Sequence, residues 1–203
     1  NNNIDSLDVS NIQNSWKFDF QNNQMVYLNM RNGNTSSSYF KATGNSLTCI
    51  ETLDPVSATE NWTNANGNID EGVTFSVICG AEEQDVWHVT TTGSDGGGNG
   101  TEESPFATIQ TGINAAGDGN TVHVAEGTYV ETISYDGKNI SVLGDGRETT
   151  IIDGDSTDTV VRFEGGENSN AVLDGFTIRN GMGGIWSSGN SSPVISNNII
   201  TDN

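Results

Sequence analysis

Ile151-Ile152-Asp153-Gly154, Val172-Leu173-Asp174-Gly175 and Val194-Ile195-Ser196-Asn197 are three versions of one phrase, set 21 and then 22 residues apart. After the last two, Phe176-Thr177-Ile178-Arg179-Asn180 returns as Asn198-Ile199-Ile200-Thr201-Asp202. A fixed period of this size means stacked repeats, each too small to bury its apolar face alone. A coil of about 22 residues carrying several short apolar runs has the period of a right-handed parallel β-helix, whose like positions stack about 4.8 Å apart. Inward Ile, Val and Leu then form ladders, and Asn or Gly occupies the corners. In this register Ile152, Leu173 and Ile195 make one ladder, with Asp153, Asp174 and Ser196 as the surface row beside it.

Upstream, further strand patterns arrive in quick succession at residues 121–124, 139–143, 150–152 and 159–163. An isolated strand pattern, Val86-Trp87-His88-Val89-Thr90, precedes a glycine-rich loop at 93–100. Ser104 then offers a helix N-cap and Pro105 a first helical position. Phe106, Ile109, Ile113 and Ala116 follow at spacings of three and four, one face of a short amphipathic helix. It is the one helix the sequence predicts, and its expected role is a plug over the first open coil.

The first quarter of the chain has its own repeat. Phe18-x-Phe20-x-x-Asn23-x-Met25 recurs as Phe40-x-Ala42-x-x-Asn45-x-Leu47, shifted by 22, while Ile4, Leu7 and Val9 recur as Met25, Leu28 and Met30, shifted by 21. Two apolar residues at spacing two point inward from a short strand. The Asn turns the chain and can bond the backbone of a neighbouring coil. Residues 1–53 resemble the short Asn-rich leucine-rich repeats of bacterial surface and secreted proteins. Met and Ala stand where Leu is usual, and polar Thr52 marks an expected end of the array. Residues 48–80 then read as its closing segment, bracketed by the only cysteines, Cys49 and Cys79. Their separation, without Cys-x-x-Cys, is poor for metal or redox chemistry. A structural disulfide between Cys49 and Cys79 and a pair of buried free thiols both remain open, the first being the reading that fits an extracellular setting.

The chain has 203 residues with 7 Lys+Arg against 27 Asp+Glu, a formal charge of −20, and only 33% hydrophobic residues. Glycine numbers 25 and asparagine 26. This fits a thin-cored, turn-rich β array and not a thick-cored helical enzyme. It excludes nucleic acid as a partner, since seven cations cannot form a basic track in such a field, and it disfavours an acidic membrane surface. No run reaches the ~18–20 apolar residues of a membrane span. Residues 1–80 carry 8 acids and 3 bases, a net −5; residues 81–203 carry 19 acids and 4 bases, a net −15. That load solubilises an exposed solenoid and repels a pectin-like polyanion unless divalent cations intervene.

Residues 86–203 resemble the start of a pectate-lyase-like right-handed β-helix domain of secreted or surface-anchored bacterial proteins. The resemblance is carried by Trp87-His88-Val89, by residues 104–110 and 121–129, and by Val172-Leu173-Asp174-Gly175-Phe176-Thr177-Ile178. It implies the fold more than an activity, because the family holds lyases, hydrolases, epimerases and non-enzymatic surface modules. For a lyase it implies a strong base, often Arg or Lys, with calcium held by Asp or Glu. The weak candidates are Asp153, Asp174 and Arg179, with Arg162 as a second cation. Asp153 and Asp174, one coil apart and about 5 Å from each other in this register, would be the calcium pair or carboxylate dyad. Both also sit in Asp-Gly turns, where Asp is a common turn former.

Other features carry less. His88 and His123 lie within strands and pair with no Ser or Cys nucleophile motif. The loop at 93–100 lacks the Gly-Lys-Ser/Thr of a phosphate cradle; Asp95, Asn99 and Glu102 make it either a calcium loop or a flexible surface turn. Trp87 and Trp186 supply stacking faces for neutral glycans if exposed, or pack at coil edges. Five Asn-x-Ser/Thr sequons, at Asn34, Asn61, Asn99, Asn139 and Asn190, are expected by chance in such a composition.

The expectation is therefore an all-β solenoid. Leucine-rich repeat coils and their cap occupy 1–80, and a right-handed parallel β-helix with an N-terminal capping helix begins at 86. The chain reads as a window on a longer protein, extracellular or at the cell surface, with no signal peptide among its first residues. The expected function is non-catalytic: adhesion, surface display or recognition of a polysaccharide or cell-surface glycan. The alternative is the front part of a pectate-lyase-like polysaccharide lyase or hydrolase.

Overall fold

The computed structural model describes residues 3–12, 15–33, 39–80 and 84–203. The chain divides into two compact units, Asn1–Ala81 and Glu82–Asn203. Both are built from parallel strands of two to five residues, which form a β-solenoid of about eight turns in all.

The first unit contains β1 (Ser6–Asp8), β2 (Lys17–Asp19), β3 (Tyr27–Asn29), β4 (Tyr39–Lys41), β5 (Cys49–Glu51), helix α1 (Pro55–Asn61) and β6 (Thr74–Ser76). One parallel sheet runs in the order β1-β3-β5-β6 and a second pairs β2 with β4. Leu7 lies opposite Leu28 and Phe18 opposite Phe40, the shifts of 21 and 22 read from the sequence. Met25, Leu28, Met30, Phe40 and Ile50 are buried between the sheets. At the corner, Asn45 bonds the preceding coil twice: its Nδ2 donates to the Phe20 carbonyl (3.0 Å) and its Oδ1 accepts from the Met25 N–H (3.3 Å).

Two features depart from the sequence reading. The array does not stop at Thr52, which is buried and donates its N–H to the Ser76 carbonyl (2.9 Å), so that parallel pairing continues into β6. The closing segment also contains a second helix. Asp54 caps α1 by accepting from the Ser57 N–H (2.9 Å), with Pro55 in its first turn. The Asp54-Pro55 pair is its only clear signal, because seven residues are too few for a helical period. Trp62, just past α1, stacks on Phe40 with ring centroids 4.1 Å apart. Cys49 and Cys79 are joined as a disulfide, their Cα atoms 5.8 Å apart. Beside it, buried Glu51 accepts from the Cys79 N–H (3.1 Å) and the Tyr27 hydroxyl (3.0 Å) and pairs with buried Arg31 (3.3 Å).

The second unit begins with β7 (Val86–Val89) and α2 (Ile109–Ala115). Its coils then repeat three strands: β8 (Thr121–Val124), β9 (Gly127–Val130) and β10 (Ile133–Ser134); β11 (Ser141–Gly144), β12 (Thr150–Asp153) and β13 (Thr159–Phe163); β14 (Val172–Asp174), β15 (Thr177–Arg179) and β16 (Gly183–Ser187). A further coil holds β17 (Val194–Ser196) and β18 (Ile199–Ile200). Three parallel sheets result, ordered β17-β14-β11-β8-β7, β18-β15-β12-β9 and β10-β13-β16.

The inward ladder of the first sheet is Trp87, Val122, Val142, Leu173 and Ile195. That of the second is Tyr129, Ile152, Ile178 and Ile200. The expected ladder Ile152–Leu173–Ile195 is therefore corrected: Leu173 and Ile195 are partners, but Ile152 belongs to another face. The coils differ in length. Val142 faces Leu173, 31 positions on, while Leu173 faces Ile195, 22 positions on. The 21-residue shift from Ile152 to Leu173 matched the end of a second-sheet strand with the end of a first-sheet strand.

Helix α2 starts later than Ser104-Pro105 indicated. Phe106 is extended: its N–H donates to the His88 carbonyl and its carbonyl accepts from the Thr90 N–H, so this segment continues the strand ladder. The cap is Thr108, whose hydroxyl accepts from the Thr111 N–H. Ile109, Ile113 and Ala116 are buried as the spacing predicted.

Replacing both cysteines (Cys49→Ser with Cys79→Ser) should cost the first unit about 3.5–4 kcal/mol by the loop-entropy relation. Hydrogen exchange on the whole chain would show it as faster exchange in β5 and β6, with β11 and β14 unchanged. Asn45→Ala should cost about 1–2 kcal/mol in chemical unfolding, through the bonds it takes from the Met25 N–H and the Ala42 carbonyl.

Candidate functional site

In each strand of the first sheet alternate residues face outward, and the register aligns them in a row: His88, His123, Leu143, Asp174 and Ser196. The two imidazoles meet edge to face with centroids 5.5 Å apart, and His123 Nε2 lies 2.9 Å from Asp145 Oδ1. Asp174 accepts from the Ser196 hydroxyl (2.6 Å). No Lys or Arg occurs in these five strands. Asp174 also leads into a turn that only glycine suits: Gly175 has φ +86°, and a Cβ there would lie 2.6 Å from the Gly144 carbonyl oxygen.

At the start of the same sheet lies a groove of about 620 Å³, lined by Asp118, Asn139, Ser141, Asn168, Asn170 and Val172 among others. Side-chain oxygens of one coil hold the backbone of the next: Asn139 N–H donates to Asp118 Oδ1, and Asn168 N–H to Asn139 Oδ1, each at 2.8 Å. The lining is rich in amide and hydroxyl groups and holds no cation.

The sequence-derived candidates are partly separated. Asp153 is paired with Arg179 across the second sheet, not with Asp174, which lies on the first. The proposed calcium pair Asp153/Asp174 is thus not brought together. Among the described residues, no three His, Cys, Asp or Glu side chains converge on a point that a metal ion could occupy. Arg179 Nε donates to Asp153 Oδ2 (3.0 Å), which also accepts from Asn180 Nδ2 (2.8 Å). Burial pushes the Asp153 carboxyl up, but the hydrogen bonds from the Asp155 N–H, Asn180 and Arg179 outweigh it and hold it below the ordinary carboxylate range.

The unit's other cations are likewise engaged. Arg162 bonds Asp158 and Glu164, and Arg147 bonds Glu148. Lys138 donates to the carbonyls of Ile113, Asn114 and Ala116 at 2.8–2.9 Å, closing the C-terminal end of α2. Burial lowers its pKa, although Asp136 and Asp118 pull the other way.

Three carboxylates organise this unit; of them the sequence reading singled out only Asp95, as part of a calcium loop or surface turn. Asp95 accepts from the N–H groups of Ala107 (2.8 Å) and Thr108 (3.0 Å) and from the Thr108 hydroxyl (2.9 Å). The glycine-rich loop is therefore pinned: Asp95 binds the helix entry, and Asn99 Oδ1 accepts from Thr101. Gly93 packs so closely that a Cβ there would lie 2.1 Å from the Phe106 carbonyl oxygen. Glu131 accepts from the next two N–H groups, Ile109 (2.9 Å) and Gln110 (3.0 Å). Glu167 is inaccessible and binds three segments, accepting from the N–H groups of Gly137 (2.9 Å) and Gly165 (3.1 Å) and from the Ser191 hydroxyl (2.5 Å). None of these roles follows a local motif, because apart from the Glu167 bond to Gly165 each acid acts on residues 12–30 positions away.

The family model described as "Protein of unknown function (DUF1565)" matches residues 91–136, the stretch that holds the pinned loop, α2, β8 and β9 together with Asp95 and Glu131. No curated protein and no solved structure matches the chain.

Burial raises the Glu131 carboxyl to about 7; the Ile109 and Gln110 N–H groups oppose the shift and the Asp95 charge adds to it. Its ordinary value is 4.5. Between these two pH values the folded chain keeps a proton that the unfolded chain releases. Stability from this group is therefore full below about pH 4.5 and is lost as pH rises through about 7, on the order of 2–3 kcal/mol. Thermal unfolding of Glu131→Gln should lack this decline, and the difference from the wild type should be largest above pH 7. Glu167 has the opposite sign. Burial pushes it up, but the Ser191 hydroxyl and the N–H groups of Glu167, Gly137 and Gly165 outweigh it, so its contribution is lost as pH falls.

Proposed function

We propose that the chain is part of an extracellular or cell-surface repeat protein, a non-catalytic module that recognises or displays glycans. The observation that carries this reading is the state of the cations. All four Lys and Arg of the second unit are held, three by carboxylates and one by helix carbonyls. β-Elimination needs a base free to take a proton from the substrate, and these side chains already donate to carboxylates or carbonyls of the scaffold. A uronate substrate would also need a counter-charge, and the outward row of the first sheet offers Asp174 but no cation.

The finer family readings belong to the same proposal. A pectate-lyase-like β-helix is supported by three parallel faces with a helix at the start, and a leucine-rich repeat array by two-strand coils with an Asn corner at Asn45. The extracellular setting is supported by the Cys49–Cys79 disulfide, which persists in oxidising compartments. Neutral glycans are favoured over polyuronates by the net −15 of residues 81–203 and by the groove lined with amides and hydroxyls.

The test incubates the protein with a panel of neutral and acidic polysaccharides in the presence of calcium. Ultraviolet absorbance follows unsaturated products, reducing-sugar release follows hydrolysis, and pull-down follows binding. The expected outcome is binding to a neutral polysaccharide without turnover. Product formation lost in Arg179→Ala or Asp174→Ala would overturn the reading in favour of a lyase or hydrolase.

A further inference from the structure

The third sheet of the second unit presents a face that the sequence left undecided between packing and binding. Of the two tryptophans considered as stacking platforms, Trp87 is buried against Phe106 with ring centroids 6.0 Å apart. Trp186 is 54% exposed. It lies on β16 directly opposite Arg162 of β13, and Arg162 lies opposite Ser134 of β10, so the three share one outward row. Met182, 77% exposed, enters the same strand and donates its N–H to the Asp158 carbonyl (2.9 Å).

An exposed indole is an apolar plane offered to solvent, and stability gains nothing from leaving it in water. What surrounds it is polar and already ordered. Arg162 is forked between Asp158 and Glu164 (3.1 Å), so its guanidinium and the two carboxylates stand in fixed positions on the same face. A pyranose ring needs this combination. Its axial C–H face stacks on an aromatic plane, and its equatorial hydroxyls donate to carboxylates and accept from a guanidinium. Charge selects among sugars: one guanidinium against two carboxylates is a net −1, on a unit already at −15. A uronate or sulfated sugar is repelled and a neutral one is not.

We infer that Trp186 and the Arg162–Asp158–Glu164 cluster form a subsite for a neutral pyranose ring, with Trp186 as its stacking platform. The inference rests on the glycan-recognition reading and gives it a place and a ligand class. It assigns the site to the third sheet rather than to the first-sheet exterior or the Asn-lined groove.

The test is calorimetric titration of the whole chain with neutral cello-, xylo-, manno- and galacto-oligosaccharides and with oligogalacturonate, while indole fluorescence is followed in parallel. One neutral oligosaccharide should bind and perturb the fluorescence, and oligogalacturonate should not bind. Trp186→Ala should weaken binding at least about tenfold, as for a central aromatic anchor. Trp186→Tyr should retain most of it. Unfolding curves of the variants, expected to overlay that of the parent, separate a lost contact from a lost fold. If the parent binds a neutral oligosaccharide and Trp186→Ala binds it equally, the subsite is wrong while glycan recognition stands. If the parent binds none of the neutral oligosaccharides, both fall.

Discussion

Each coil of this chain must satisfy its backbone against the coil beside it, and the corners are where that is hardest. Along the strands the parallel ladder does the work. At the corners the chain changes direction and its N–H and C=O groups lose their register, while a buried unpaired group costs about 1–3 kcal/mol. Asparagine meets this need because one side chain carries both a donor and an acceptor. Asn198 donates to the Leu173 carbonyl (2.8 Å) and accepts from the Phe176 N–H (2.9 Å). Asn203 does the same with Ile178 (3.0 Å) and Gly181 (2.9 Å), and Asn45 repeats the device in the first unit. The 26 asparagines are in part the cost of turning the chain so often.

The same constraint decides where charge can go. A thin solenoid has little interior to spare, so ionisable groups sit on the faces or serve the backbone. Glu131 and Glu167 do the latter and differ in outcome. Glu131 faces two N–H groups but also the Asp95 charge, and burial wins. Glu167 is bonded from several sides, and its anion is favoured despite complete burial. The four cations of the second unit are consumed by the scaffold in the same way. The faces therefore present carboxylates, hydroxyls, amides and one open indole, which suits recognition of neutral polar ligands better than chemistry on acidic ones.

Much of this was legible in the sequence, and the misplaced site residues share one cause. The solenoid class, the 21- and 22-residue registers of the first unit, the strand at residues 121–124 and the buried face of α2 follow from apolar spacing alone. Ile152 was assigned to the wrong ladder because a second-sheet strand and a first-sheet strand end alike: Ile151-Ile152-Asp153-Gly154 and Val172-Leu173-Asp174-Gly175 each close with two apolar residues, an acid and a glycine. With 20 positions between Val122 and Val142 and 31 between Val142 and Leu173, a constant period cannot tell the faces apart. That error alone placed Asp153 beside Asp174 and suggested a calcium pair. The roles of Asp95, Glu131 and Glu167 were illegible for a related reason, since each binds a backbone whose position depends on the coil register. Trp186 was visible as a residue type, but its exposure is a property of the face it stands on.

The coil register is thus the claim from which the placement of every candidate residue follows, and disulfide cross-linking tests it most directly. Residues opposite one another in adjacent parallel strands lie within disulfide range. The account predicts that a chain carrying Asp153→Cys with Arg179→Cys cross-links readily under mild oxidation, while one carrying Asp153→Cys with Asp174→Cys does not. Cross-linking of the second pair and not the first would contradict it.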